Sequence, residues 1–221
     1  MKISPTLTEV KEIAKTGKYD ILPVSCEILS DFITPIEAMR ILQNVSTHCY
    51  LLESAQANEA WGRYTFLGYD PKLEINCIDG HMKLGKLSVE TENPSEYIRQ
   101  ILSEYKSPKF DYLPSFTGGL VGYFSYDYLG YKEKSIRGKA RDTEDFKDVD
   151  LMLFDKVIAF DNLCQKIILI ANMSLDVPET GYNKAIVELK QLRELLMHGE
   201  KKQNMGGKLL GEVTPLFDKE Q

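Results

Sequence analysis

Histidine, cysteine and tryptophan are scarce in this chain of 221 residues, which holds three, four and one of them. Metal sites need their ligands grouped at short spacings. His48, His81 and His198 are scattered, and Cys26, Cys49, Cys77 and Cys164 stand far apart with no Cys-x-x-Cys pair, so no metal site is expected. Isolated cysteines inside apolar runs read as buried thiols of a reducing compartment, which predicts a cytoplasmic protein. No apolar run reaches the ~18 residues of a membrane-spanning helix. The first nine residues, Met-Lys-Ile-Ser-Pro-Thr-Leu-Thr-Glu, lack the long apolar core of a signal peptide. Positive charge is in the minority: 27 Lys and Arg against 33 Asp and Glu leave a net charge of -6. That balance argues against nucleic acid or an anionic membrane as a partner. Gly118-Gly119-Leu-Val-Gly122 is followed by neither Gly-Lys-Ser/Thr nor the opening of a helix, so it is not a phosphate loop. Catalytic residues are not expected either: no nucleophile–base arrangement or nucleotide fingerprint stands out.

What is present is ordinary globular material. Hydrophobic residues make up 43% and charged residues 27%, enough to bury a substantial core in one large domain or two small ones. Helices are expected over Thr6–Ala14, from Thr34-Pro35 to Val45, from Asn93-Pro94 to Tyr105 (buried face Tyr97, Ile98, Ile101, Leu102, Tyr105) and over Thr180–Met197, each with an apolar stripe and most with a capping residue or an N-terminal proline. Alternation predicts strands over Lys72–Ile78 and His81–Val89 around the Asp79-Gly80 turn. A long strand over Asp150–Asp161 turns at Asn162-Leu163 and returns over Gln165–Ala171. Pro23 makes Tyr19–Ile28 an edge strand at best. Lys132–Lys147 reads as a surface loop. Strand runs with single helices between them indicate an α+β fold with a mainly antiparallel sheet and helices packed on it. The polar run after His198 reads as a linker, which divides the chain into residues 1–198 and 199–221.

The densest chemistry lies between Cys49 and Gly68. Tyr50–Leu52 is an apolar strand that ends on Glu53 and Ser54, and Arg63, Tyr64, Thr65 and Phe66 follow between Gly62 and Gly68. A carboxylate, a hydroxyl, a guanidinium and aromatic rings close together suit an aromatic zwitterion; an edge hairpin with solvated polar residues is the plain alternative. Glycines at 118, 119 and 122 inside a strand mark a bulge or a close backbone approach.

Leu51-Leu52-Glu53-Ser54, Gly62-Arg63-Tyr64-Thr65-Phe66-Leu67-Gly68 and Phe116-Thr-Gly-Gly-Leu-Val-Gly-Tyr-Phe-Ser-Tyr-Asp127 resemble, in order, the N-terminal half of anthranilate synthase component I, and Pro23-Val24 and the last helix fit as well. The resemblance implies the N-terminal half of an α/β sandwich to which both halves contribute strands, and an exposed sheet surface or edge where the other half would sit. It implies L-tryptophan as a feedback effector, held by Leu52, Glu53 and Ser54. Arg63, Tyr64 and Phe66 are the added candidates, the aromatic rings as walls for the indole, and Arg63 equally suits a structural ion pair. Trp61 is expected in packing. The parent reaction takes chorismate to anthranilate and pyruvate with magnesium and ammonia from a glutamine amidotransferase subunit. The family's chorismate and magnesium motifs belong to its C-terminal half and are not found in this chain, so no cofactor is expected here. The corresponding half of aminodeoxychorismate synthase component I shares the same blocks, although the full Leu-Leu-Glu-Ser string favours anthranilate synthase. A stand-alone amino-acid-binding domain is a further alternative; the return to apolar residues at Leu209, Leu210, Val213 and Leu216 argues against it.

Overall fold

The computed structural model describes residues 2–54, 62–133, 135, 146–202, 206–207 and 210–211. Trp61, most of the predicted 132–147 loop and most of the tail beyond 202 lie outside them. Two helices begin on the same device. In α1 (Leu7–Lys15) Thr6 caps the Glu9 N–H while the Glu9 carboxylate returns to the Thr6 N–H. In α2 (Pro35–Val45) Thr34 and Glu37 repeat the exchange. Reciprocal capping satisfies donors that a helix start otherwise leaves unpaired. Helices α3 (Pro94–Ser103) and α4 (Pro178–His198) instead carry proline in the first turn, where its missing N–H costs nothing.

Eleven strands are described: β1 (Ile3–Ser4), β2 (Ile21–Leu29), β3 (Cys49–Leu52), β4 (Tyr64–Tyr69), β5 (Leu73–Ile78), β6 (His81–Leu84), β7 (Leu87–Glu90), β8 (Gly119–Phe124), β9 (Val149–Phe154), β10 (Lys156–Asp161) and β11 (Lys166–Ser174), with a 3-10 helix over Tyr126–Tyr131. They form two wholly antiparallel sheets, one ordered β1-β2-β11-β10-β4-β3 and the other β7-β6-β5-β9-β8. The expected α+β class, a mainly antiparallel sheet arrangement with packed helices, is what the chain adopts.

Several local readings need correction. The single strand expected over Asp150–Asp161 is two strands in different sheets, hinged at Asp155, and Asp70–Lys72 makes the matching crossing from β4 to β5. Strands that leave one sheet for another are how packed sheets turn corners; an apolar run on both sides of the hinge gives no sign of it. The return strand expected over His81–Val89 is itself a hairpin, β6 and β7, because Gly85 takes φ 59° and Leu84 pairs with Leu87. The expected burial of all four cysteines holds for Cys26 and Cys77, while Cys49 at the sheet edge is only half-buried and Cys164 is exposed in the β10–β11 turn. The edge strand expected around Pro23 is instead an inner one: β2 lies between β1 and β11, pairing with β11 over its whole length. Pro23 is tolerated because β1 reaches only Ser25 and Cys26, so no ladder bond is asked of the proline on that side. On α3, Ile98 is buried and Tyr97 and Ile101 pack on the second sheet, but Leu102 is exposed.

Helices α1, α2 and α4 cover one face of the first sheet, where Val10, Leu22, Leu42, Leu67, Leu169 and Leu189 are inaccessible. Its opposite face carries Val157, Ala159, Ile168 and Ile170 beneath Leu113, Phe110 and Phe116 from the 105–117 connection. Helix α3 and the 3-10 helix close the core face of the second sheet over Ile75, Cys77 and Leu151. There the Tyr131 hydroxyl donates to Asp148 Oδ2 at 2.7 Å and accepts the Gly80 N–H at 2.6 Å, which ties the β5–β6 turn to the strand entering β9.

Candidate functional site

Strand β3 is the outer edge of the first sheet, and its antiparallel register with β4 sets Leu52 opposite Phe66 and Tyr50 opposite Gly68. Glu53 and Ser54 follow directly past the strand end and are exposed. The structure therefore brings Leu52, Tyr64 and Phe66 onto neighbouring strands, with Glu53 and Ser54 at the mouth. Tyr64 and Phe66 lie 5.8 Å apart, and Phe66 meets Phe116 edge-on at 5.5 Å. That aromatic band lies on the same face as Val157, Ala159 and Leu113.

Arg63 is engaged elsewhere. Its Nε and Nη2 donate to the two carboxylate oxygens of Asp161 at 3.1 and 2.7 Å, and its guanidinium sits 4.9 Å from the Tyr64 ring centre. Asp161 also accepts the Leu163 and Cys164 N–H groups, and its side chain is inaccessible. Burial pushes the Asp161 carboxyl up, but the Arg63 hydrogen bonds, the Cys164 N–H and the guanidinium charge outweigh it and hold the group down to about 2. Of the two roles that the sequence leaves open for Arg63, the ion pair is the one with a partner in place. Asp161 was not singled out from the sequence. The usable signal was an acid at the start of the Asp-Asn-Leu-Cys turn, where a carboxylate caps backbone N–H groups.

Tyr50 was also missed. Its ring lies over Gly68, where a Cβ would come within 2.2 Å of Tyr50 Cε1, and it packs edge-on against Phe154 at 4.7 Å. Its hydroxyl is buried and has no hydrogen-bond partner among the described residues. A buried unpaired hydroxyl costs about 1–3 kcal/mol, so Tyr50→Phe is expected to raise the stability of this chain by about 1 kcal/mol in chemical denaturation. A loss of stability would show that the hydroxyl is satisfied.

The glycines of the 118–122 string have a backbone reason: Gly122 faces Asp150 and Leu151 of β9 too closely for any side chain. Among the described residues no group of three or more His, Cys, Asp and Glu is placed to hold a metal, and no helix is long and apolar enough to cross a membrane.

The fold and site define an α+β protein of two strand-exchanging sheets, with a polar strand end opening beside an aromatic band. No family model matches the chain. Comparison with known proteins is more specific. The chain is 34% identical over 198 residues to anthranilate synthase component 1 of Acetivibrio thermocellus, covering 87% of this chain and 39% of that protein. It is 36% identical over 196 residues to anthranilate synthase component 1 of Pseudomonas aeruginosa, covering 85% and 39%. A crystal structure of anthranilate synthase component I from Streptococcus pneumoniae aligns with TM-score 0.48 and 25% identity, over 75% of this chain and 36% of that one. Over the span that it matches, the chain belongs to the anthranilate synthase component I family. It spans about two fifths of the length of the relatives it matches.

Proposed function

We propose that this chain is the regulatory part of an anthranilate synthase component I and carries most of its tryptophan feedback site. The observation that carries the reading is the match at 34% and 36% identity to proteins of that name, over 39% of their length. In this reading Glu53 receives the ammonium of L-tryptophan, a charge-assisted contact worth ~1.5–3 kcal/mol. Ser54 and the adjoining backbone hold the carboxylate, and Leu52, Tyr64 and Phe66 line the indole. Arg63, held by Asp161, positions Tyr64 and leaves no free charge facing the ligand. Placement of Leu52 opposite Phe66, with Glu53 and Ser54 next along the chain, supports this arrangement.

Residues 1–198 form the regulatory domain in this proposal, and the residues from 199 lead toward the catalytic part. The first of them lie along α2: Asn44 donates to the Glu200 carbonyl, and the Lys202 N–H donates to the Arg40 carbonyl. Chemistry on chorismate, with magnesium and ammonia from an amidotransferase subunit, belongs to that other part. The free edge of β8, with Tyr123, Phe124, Tyr126 and Leu129 exposed, is the surface best suited to meet it. Feedback is then a population shift between arrangements of the two parts, driven by tryptophan's preference for one of them. Cytoplasmic residence follows from the same assignment.

Calorimetric titration of L-tryptophan into the chain tests the proposal. Saturable binding is expected, with loss of at least tenfold in affinity in both Glu53→Ala and Ser54→Phe. Absence of binding, or indifference to both substitutions, overturns the placement of the effector site on this part. No anthranilate is expected from the chain alone with chorismate and ammonia; product formation would refute the division of labour.

A further inference from the structure

The two crossings between the sheets, at Asp70–Lys72 and at Asp155, lie together and enclose a cleft built from none of the six residues of the strand-end site. Its inner hollow has a volume of about 120 Å³ and is walled by Ile21, Leu102, Tyr105, Leu153 and Phe154. An outer basin of about 470 Å³ opens from it past Asp70, Lys156, Lys184 and Glu188. Lys72, Asp155, Asn172 and Ser174 line both spaces and therefore stand at the rim between them.

The rim is pinned by the backbone. The Lys72 N–H donates to the Leu153 carbonyl at 2.7 Å and the Asn172 N–H to the Asp155 carbonyl at 2.8 Å. The Asn172 side-chain amide bridges the Thr117 and Asp155 carbonyls at 2.6 and 3.0 Å. A floor held in this way is formed before any ligand arrives, which lowers the ordering cost of binding.

Its charges are unusual. The acids and lysines of the outer basin neutralise one another: Lys156 with Asp70 at 2.8 Å, and Lys184 with Glu188 at 3.7 Å. Lys72 and Asp155 at the rim are in no ion pair among the described residues, and the Lys72 ammonium rests 5.4 Å from the Tyr105 ring centre. A ligand bearing only a carboxylate would meet Asp155, and one bearing only an ammonium would meet Lys72. A head that carries both satisfies both, and the apolar hollow behind it takes a side chain. An apolar cavity of ~150 Å³ accommodates benzene, so the smaller hollow suits a branched aliphatic group and is too small for an indole.

We propose that this cleft binds a small aliphatic α-amino acid, its carboxylate on Lys72, its ammonium on Asp155 and its side chain in the hollow beneath Tyr105 and Leu102. The site does not depend on the tryptophan reading above.

The test is an NMR titration of the isotope-labelled chain with L-leucine, alongside 4-methylpentanoate, 3-methylbutylamine and L-tryptophan. L-Leucine is expected to shift the amides of Lys72, Tyr105, Asp155 and Asn172 saturably, with 4-methylpentanoate and the amine at least tenfold weaker. Lys72→Met and Asp155→Asn each weaken L-leucine at least tenfold, and Leu102→Trp, which fills the hollow from an exposed helix position, does the same. Lys190→Met, an exposed change elsewhere on α4, leaves it unaltered. Thermal melts confirm that each variant is folded. The proposal is overturned by lack of saturation with L-leucine, by equal binding of either half-molecule, by L-tryptophan shifting the same amides more tightly, or by indifference to the rim substitutions.

Discussion

Gly122→Ala is expected to unfold the β8 edge and to cost about 3–5 kcal/mol, a sum of overpacking and a strained backbone angle. Gly122 sits at φ 152°, and a Cβ there would lie 1.9 Å from the Asp150 carbonyl oxygen and 2.9 Å from Leu151 Cα. All the obstructing atoms are backbone, so no side chain can rotate aside. Relief requires β8 to leave β9, along which it pairs from Gly119 to Phe124. Gly118 is crowded too, but by the Asn172 side-chain amide at 2.6 Å and the Phe154 carbonyl at 3.0 Å. At Gly119 the nearest neighbour is 3.9 Å away, and only φ 138° opposes substitution. The expected order of damage is therefore Gly122 above Gly118 above Gly119. For a chain of this size ~2–4 °C of melting temperature accompanies each kcal/mol, so a fall of roughly 10 °C is the readout for Gly122→Ala. A melt within about 2 °C of the parent would show that β8 shifts without loss and would remove the close-approach explanation of the motif.

Arg63→Ala is expected to cost about 2–3 kcal/mol: the inaccessible Asp161 carboxylate loses its cation, but the Arg63 side chain is 34% exposed, so the loss is smaller than for a pair buried on both sides. Asp161 cannot turn to water, because its side chain is inaccessible and two of its hydrogen bonds come from the backbone. Acid titration separates this from a mere packing loss. In the parent the Asp161 carboxyl titrates near 2, below its ordinary 3.8. The unfolded chain therefore binds the proton first, and stability present above about pH 5 is lost as pH falls toward about 2, to the extent of about 2 kcal/mol. Without the guanidinium, the burial that raises the carboxyl is opposed only by the hydrogen bonds from the 163–164 turn, so the acid dependence should become clearly shallower. A parallel acid dependence in the variant and the parent would mean that Arg63 does not set the charge of Asp161. Replacing both residues, Arg63→Met with Asp161→Leu, should recover most of the loss, since apolar substitutes of similar shape often match a buried pair.

Much of the architecture is legible locally. Thr6 with Glu9 and Thr34 with Glu37 announce their helices three residues apart, and Asp79-Gly80 announces its hairpin within two. These signals depend on neighbours in the chain, so one sequence suffices to read them. The Leu52–Ser54 strand end and the Arg63–Phe66 run were visible in the same way, as chemistry clustered within fifteen residues. Less legible was any feature made by two distant stretches. Asp161 is a turn residue until β10 pairs with β4 and sets it beside Arg63, 98 positions away. Tyr50 is an apolar strand residue until Gly68 and Phe154 enclose its ring and leave the hydroxyl unpaired among the described residues.

Sheet membership shows the division most clearly. Periodicity marks β9 and β10 as strand, because the residues from Val149 to Phe160 are mostly apolar on either side of Asp155-Lys156, and it marks β4 and β5 equally well. Which sheet each strand joins depends on pairings with segments some 80 residues away, whose free energy is shared among ladder bonds, core burial and the corner hydrogen bonds at Lys72, Asp155 and Asn172. By itself the sequence determined the four helices, most of the strand segments, the α+β class and the aromatic, carboxylate-tipped strand end. Only the tertiary structure decided that the chain twice crosses between sheets at one corner, that Arg63 is consumed by Asp161, and that the corner encloses a cleft whose Lys72 and Asp155 form no ion pair among the described residues. The reason is physical: local conformation is set by forces between chain neighbours, and a site is set by which distant neighbours the core brings into contact.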